Sequence, residues 1–189
     1  MIGIGCMVYL ACSSKLLGAV LFSAGLFFVL TFRGVLFTGI CGLPTPWRKL
    51  LAVYLLNGLG ILLAGSLTWT GKAIPTAAAA VVTGKLNASP LSWLTNGLLC
   101  GVMMYLAVTG FKQSENPVHG LASVLYGVPV FILAFFEHSI ADMGYVAMAL
   151  PHLTMLQVGQ SLLMVLVVTV GNVLGSKLVY WLTTPSKNP

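Results

Sequence analysis

The chain has 189 residues, of which 58% are hydrophobic and only 6% carry a charge. A soluble domain averages about 25% charged residues, so the composition predicts an all-α integral membrane protein and leaves no room for a separate soluble domain. The net charge of +6 comes from nine scattered lysines and arginines. Because these form no basic cluster, we expect no nucleic-acid partner. We also do not expect an enzyme.

Apolar stretches separated by polar loops predict a single domain of six transmembrane segments. Each helical span needs about 20 residues, so five or six spans would use the whole chain. The predicted spans cover 1–14, 16–40, 50–69, 92–111, 118–150 and 158–182. Since 1–14 is too short to cross a bilayer, we expect it to be the second half of a truncated first helix. Residues 70–91 are punctuated by prolines and predicted to form a connection that dips toward the membrane.

Two of these spans are interrupted by polar residues. Arg33-Gly34 breaks the second span just before Leu36-Phe37-Thr38, and Glu137-His138 breaks the fifth. Interrupted helices at matching positions in inverted halves indicate a transport site near the middle of the membrane. The sequence therefore predicts two inverted three-helix repeats, each with a broken middle helix.

The fifth span contains two of the three acidic residues of the chain, Glu137 and Asp142, on either side of His138. Ionisable residues within apolar sequence are costly in a membrane and usually line a cavity or a permeation path. The alternative is a helix end at the water interface, where these side chains would be solvated. The long apolar stretches on both sides favour a broken helix inside the membrane.

Basic residues in short loops predict the orientation of the chain. Arg48-Lys49, Lys112 and Lys187 should all lie on the cytoplasmic side. This places the C-terminus inside a multi-pass protein of the cell inner (cytoplasmic) membrane. The four cysteines have no metal-type spacing, so we expect neither a metal nor a cofactor.

Several stretches spread over nearly the whole chain are informative together. The most specific is Glu137-His138-Ser139-Ile140-Ala141-Asp142. The others are Gly18-x-x-x-Phe22-Ser23-x-Gly25-Leu26, Leu36-Phe37-Thr38, Cys100 to Val108, and Gly171-Asn172-x-x-Gly175. In order and spacing these stretches resemble the formate/nitrite transporter family.

The resemblance implies a homopentamer of aquaporin-like six-helix protomers in the lipid bilayer, each with its own path for small monovalent anions. It implies one hydrophobic constriction at Phe22, Leu26 and Phe131, and a second at Leu36 and Phe37. The other residues that it assigns to the substrate pathway are His138, Thr38, Glu137, Lys85, Gly101 and Asn172, with Lys85 in a vestibule where it would concentrate anions.

The chain departs from the family pattern at four positions. Gly101 and Asp142 each stand where the family usually has asparagine. Phe135 replaces a glycine, and Val35 replaces an acidic residue. These departures affect substrate choice and the orientation of His138 more than the fold.

A bare anion meets a large barrier at an apolar constriction. Moving an ion into a medium of low dielectric costs on the order of 20 kcal/mol in the idealised case. Protonating a weak acid of pKa about 3.5 at pH 7 costs only about 5 kcal/mol. Histidine exchanges protons near neutral pH, so we expect His138 to exchange protons with formate or nitrite, or with hydrosulfide as the alternative.

Three other functions compete with anion transport. A haem protein would need paired axial ligands, and only one histidine is predicted to lie deep in the membrane. A neutral-solute channel is suggested by Asn116-Pro117-Val118, but a turn explains this tripeptide better. A truncated, non-conducting homologue would explain the short first span.

Overall fold

The computed structural model describes residues 1–184, and these residues form only helices and their connections. Three helices, Trp47–Ser66, Pro90–Gln113 and Met155–Thr183, are long and apolar enough to cross a membrane. Two short 3-10 helices, Phe37–Gly39 and Leu150–His152, lie between the α-helices. The α-helices are α1 (Ile2–Ala11), α2 (Lys15–Thr31), α3 (Trp47–Ser66), α4 (Ala73–Leu86), α5 (Pro90–Gln113), α6 (Pro117–Leu133), α7 (Ser139–Ala149) and α8 (Met155–Thr183).

The main difference from the sequence prediction is α4, which replaces most of the connection expected over 70–91. Four consecutive alanines, Ala77 to Ala80, give this segment a high helix propensity. Pro75 lies in the first turn of α4, where a missing N–H breaks no intrahelical bond. The proline that suggested a loop is therefore compatible with a helix start.

Helices α2 and α6 have the same length, 17 residues, and end in the same way. In each, the last turn closes with a Schellman motif. The N–H of Gly34 (2.7 Å) and that of Phe136 (2.9 Å) bond to the carbonyl that begins the last turn. The residue before each has a positive φ, 54° at Arg33 and 59° at Phe135. Such a φ favours glycine, so both side chains are held in a strained backbone conformation.

After each Schellman motif the chain runs extended and then starts a new helical element. Leu36 (φ −106°, ψ 132°) precedes the 3-10 helix Phe37–Gly39, and His138 (φ −109°, ψ 108°) precedes α7. Leu36 follows the end of α2 by as many residues as His138 follows the end of α6. The two interruptions therefore have the same local backbone geometry.

Helices α5 and α8 pack closely because small residues face each other. A Cβ at Gly97 would lie 2.8 Å from the carbonyl oxygen of Val168, so only glycine allows this approach. Farther along both helices, the hydroxyl of Tyr105 meets that of Thr183 at 3.5 Å, which shows that α5 and α8 run parallel. The small residues at this contact are Gly97, Gly101, Gly171 and Gly175.

Three helix termini lie at one end of the molecule. The parallel packing of α5 and α8 brings their C-termini together. Gly42, which precedes α3, packs against Ser176 of α8, whereas the hydroxyl of Tyr54 within α3 lies 3.1 Å from that of Thr169, earlier in α8. Helix α3 therefore runs antiparallel to α8 and starts at the end where α8 terminates. The basic pair that opens α3 and the lysine that closes α5 are thus on one side of the protein. Lys187 lies outside the described residues.

Candidate substrate pathway

A cavity of about 470 Å³ lies between α4, α6 and α7. The C-terminal end of α4 and Asn96 in the first turns of α5 line it, so the cavity lies toward the end of the molecule opposite Lys112. Phe131 and His138 form part of its wall, together with the charged side chains of Lys85 and Glu137. A charged, partly open chamber thus extends to the predicted central histidine.

Lys85 is paired with two carboxylates in this cavity. Its ammonium group hydrogen-bonds to the carboxylate of Glu137 and lies 3.0 Å from Oδ1 of Asp142. Within residues 1–184 these are the only ion pairs. The side chains of Lys85, Glu137 and Asp142 are 18%, 8% and 1% exposed, respectively. The expected free vestibule cation is therefore a lysine whose charge is already balanced.

His138 uses both ring nitrogens. Nδ1 accepts a hydrogen bond from the backbone N–H of Ala141 at 3.0 Å, which caps the start of α7. Nε2 lies 2.9 Å from Oγ1 of Thr38, and the ring stacks on Phe131 with centroids 5.6 Å apart. Because Nδ1 is an acceptor, the neutral ring carries its proton on Nε2 and donates it to Thr38.

The residues of the first predicted constriction lie around Phe131. The Phe22 ring meets the Phe131 ring edge to face, with centroids 6.2 Å apart. Phe22 and Leu26, one turn apart on α2, are both almost fully buried. The contact between the Phe22 and Phe131 rings therefore closes the protein interior next to His138.

The residues of the second predicted constriction lie on the Thr38 side of His138. Leu36 and Phe37 are both 5% exposed. The backbone N–H of Phe37 donates to Oδ1 of Asn57 at 2.9 Å, and the amide of Asn57 donates to the carbonyl of Val35 at 3.2 Å. Asn57 thus holds the extended segment before the 3-10 helix in position.

Gly101 and Asn172 lie away from the cavity wall. Gly101 packs on α8, and a Cβ at this position would collide with the backbone carbonyl of Asn172. The Asn172 amide donates to the carbonyls of Gly97 and Glu137, both at 2.8 Å, and its oxygen accepts from the N–H of Ser139 at 2.9 Å. Asn172 therefore positions the backbone on both sides of His138, and the departure at Gly101 reflects close helix packing.

Sequence reasoning missed the role of three residues. Asn57 is one of them, although a lone amide in an apolar helix is itself a signal of a buried polar contact. The Asn96 carbonyl accepts the backbone N–H of Glu137 at 3.2 Å, a backbone contact with no sequence signal. Lys15 lines the cavity with its ammonium 5.9 Å from the Phe135 ring centroid, and no ion pair involves it within residues 1–184.

Apolar helices around a cavity with buried charged groups define a multi-pass membrane transport protein. The sequence profile of the formate/nitrite transporter family matches residues 1–184, and the chain belongs to that family. No curated protein matches the sequence significantly.

Two solved structures are similar to the fold. A pentameric formate channel with formate bound is 23% identical with a TM-score of 0.80, over 96% of this chain and 91% of that one. An ion channel of the same family is 23% identical with a TM-score of 0.82, over 97% and 86%, respectively. The protein therefore has the fold of these channels.

Proposed function

We propose that the protein transports small monovalent weak-acid anions, formate or nitrite, and that a proton is exchanged at His138 during passage. The observation that carries this proposal is the position of His138 at the inner end of the charged cavity, with apolar residues packed around Phe131 and at Leu36-Phe37. An anion that reaches His138 must be neutralised before it can pass these apolar residues.

Free energies favour passage as the neutral acid. Leaving water as a bare ion costs on the order of 20 kcal/mol in the idealised limit, and the aromatic contact between Phe22 and Phe131 offers no compensating donor. Protonation of an acid of pKa about 3.5 at pH 7 costs about 5 kcal/mol. The neutral route is therefore favoured wherever the anion would lose most of its hydration.

In this proposal Lys15, rather than Lys85, attracts the anion to the cavity. Lys85 is neutralised by Glu137 and Asp142, so its field at a distance is small. Lys15 is exposed at the cavity and lies over the Phe135 ring. An unpaired exposed cation raises the local anion concentration, and salt screens this effect over about 10 Å at 0.1 M.

Proton exchange at His138 is coupled to the start of α7. For the ring to become an imidazolium, Nδ1 must take a proton and release the backbone N–H of Ala141. Loss of such an N-cap costs about 1 kcal/mol. The hydroxyl oxygen of Thr38 accepts a hydrogen bond from Nε2–H in the resting state, so it keeps the ring oriented while the charge changes.

We further propose that each protomer has six spans, of which two are interrupted: α2 with the 3-10 helix after it, and α6 with α7. The similar formate channel is pentameric, and a homopentamer in the lipid bilayer is proposed here. Exposed leucines along α3, such as Leu55, Leu56 and Leu59, need lipid or neighbouring protomers to cover them.

The proposed orientation has the start of α3, the end of α5 and the C-terminus on the cytoplasmic side of the inner membrane, because basic residues are retained there. A single cysteine placed beside Lys112 should resist a membrane-impermeant thiol reagent in intact cells. Rapid labelling from outside would reverse the orientation.

The experiment for this function is flux into proteoliposomes. We expect uptake of formate or nitrite above empty liposomes and no uptake of glycerol, a neutral solute. Hydrosulfide uptake alone would assign the alternative substrate within the family, and glycerol uptake would indicate a neutral-solute channel. No flux from a well-formed oligomer would indicate a non-conducting homologue and refute the proposal.

A further inference from the structure

The charged cluster in the cavity does not balance if every acid in it is ionised. One ammonium, that of Lys85, faces two carboxylates, Glu137 and Asp142. These two side chains, the carboxylate pair, are buried to 8% and 1% exposure. With both ionised, a net negative charge would remain in a largely apolar wall, which is strongly disfavoured.

One oxygen of the pair also lacks a partner. Oδ1 of Asp142 lies 3.0 Å from Lys85, whereas Oδ2 is fully buried with no hydrogen-bond partner within residues 1–184. A buried ionised oxygen with no donor is far more costly than the oxygen of a neutral carboxyl group in the same place. Two carboxyls that share one cation beside each other commonly hold one proton between them.

We propose that the carboxylate pair Glu137–Asp142 carries one exchangeable proton beside Lys85 and gives it to the weak-acid anion in the cavity. This inference rests on the proposed function. In the transfer, an O–H bond of the pair breaks as an O–H bond forms on the anion. The pair becomes doubly ionised and later regains a proton from water at the open side of the cavity.

This transfer keeps the total charge of the cavity constant. Before it, the neutral cluster faces an anion; after it, the negative charge lies on the pair next to Lys85, and the substrate is neutral. The neutral substrate can then move along Phe131 and His138, which both line the cavity. The carboxylate pair thus supplies the proton at the cavity, and His138 exchanges it deeper in the protein.

Other titratable groups surround the pair, and its proton affinity depends on all of them. Lys85 comes from α4 and Lys15 of α2 lines the same cavity. Tyr145 of α7 holds its ring 5.8 Å from the Lys85 ammonium. The remaining neighbours are His138 at the start of α7, Tyr9 on the cavity wall, and Cys6 of α1, whose thiol lies 3.7 Å from the Ala141 carbonyl.

Infrared spectroscopy tests the proton directly, because the chain has only three acidic side chains. The oligomer at neutral pH should show the carbonyl stretch of a protonated carboxylic acid, shifted in heavy water. The band should vanish in Asp142→Asn and also in Glu137→Gln, since the remaining carboxylate would be fully paired with Lys85. Glu115→Gln, which changes the one exposed acid, is the matched control and should keep the band.

Flux then tests the use of that proton. Asp142→Asn should lower acid-stimulated formate uptake by about a hundredfold, the lower end of what a positioned proton donor contributes, while Glu115→Gln transports normally. Absence of the band in the unmodified protein, or its persistence in Asp142→Asn, would overturn the inference, as would normal uptake by that variant. Failure of the unmodified protein to transport any weak acid would instead refute the proposed function, whatever the spectrum shows.

Discussion

Asn172→Ala is the substitution whose effect follows most directly from the structure. The variant removes the donor to the Glu137 carbonyl and the acceptor of the Ser139 N–H, both within a fully buried site. Each orphaned buried group costs about 1–3 kcal/mol. We therefore expect the free energy of unfolding to fall by about 2–6 kcal/mol. The lost bond to the Gly97 carbonyl adds less, since α5 keeps its helical bonds there.

The assay is equilibrium unfolding in mixed micelles of a mild detergent and dodecyl sulfate. Asn87→Ala is the control, because the Asn87 side chain is exposed and makes no hydrogen bond within residues 1–184; its effect should stay within about 0.5 kcal/mol. The backbone around His138 should also shift, so uptake per folded oligomer should fall. A stability loss for Asn172→Ala as small as that of the control would refute the proposed positioning role.

Three further predictions test the cavity and the helix packing. Lys15→Gln should raise the KM for anion uptake at low ionic strength, with the difference vanishing in about 0.5 M salt; Lys112→Gln, at the opposite end, should have no effect. Gly101→Asn should prevent assembly, because a Cβ at this position collides with α8. Gly159→Ala is the control and should fold normally, because a Cβ there would have no neighbouring atom within 4 Å. An intact oligomer of Gly101→Asn would contradict the packing of α5 against α8. Phe135→Gly should stabilise the protein by about 1–2 kcal/mol, because φ there is 59°; a lower denaturation midpoint would show that the Phe135 ring contributes more than the strain costs.

The pattern of apolar and polar residues in the sequence predicted much of the fold. Long apolar stretches become α3, α5 and α8, and the polar interruptions at Arg33-Gly34 and Glu137-His138 lie in the non-helical segments that follow α2 and α6. A Schellman motif usually has glycine at the residue with positive φ. After α2 the glycine, Gly34, comes one residue after that position, and after α6 there is no glycine, so the residue types do not reveal the shared motif. Only the backbone shows that Arg33 and Phe135 adopt the same positive φ.

Contacts between distant segments were less predictable. The resemblance assigned both His138 and Thr38 to the substrate pathway, and the two side chains are hydrogen-bonded. The pairing of Lys85 with Asp142 depends on α4 being a helix that packs against α7, and prolines had suggested a loop there. The contacts of Gly101 depend on which helix packs against it, and a single sequence does not specify that helix.

The central claim is that the substrate crosses as a neutral acid with proton exchange at His138, and coupled flux measures this most directly. Formate uptake and internal pH are recorded together in proteoliposomes of the unmodified protein and of His138→Asn, with equal amounts of oligomer. We expect each formate to bring one proton with it, and we expect His138→Asn to lose the acid-stimulated part of uptake while the oligomer persists. Formate entry without accompanying protons, or unchanged rate and pH dependence in His138→Asn, would contradict the mechanism.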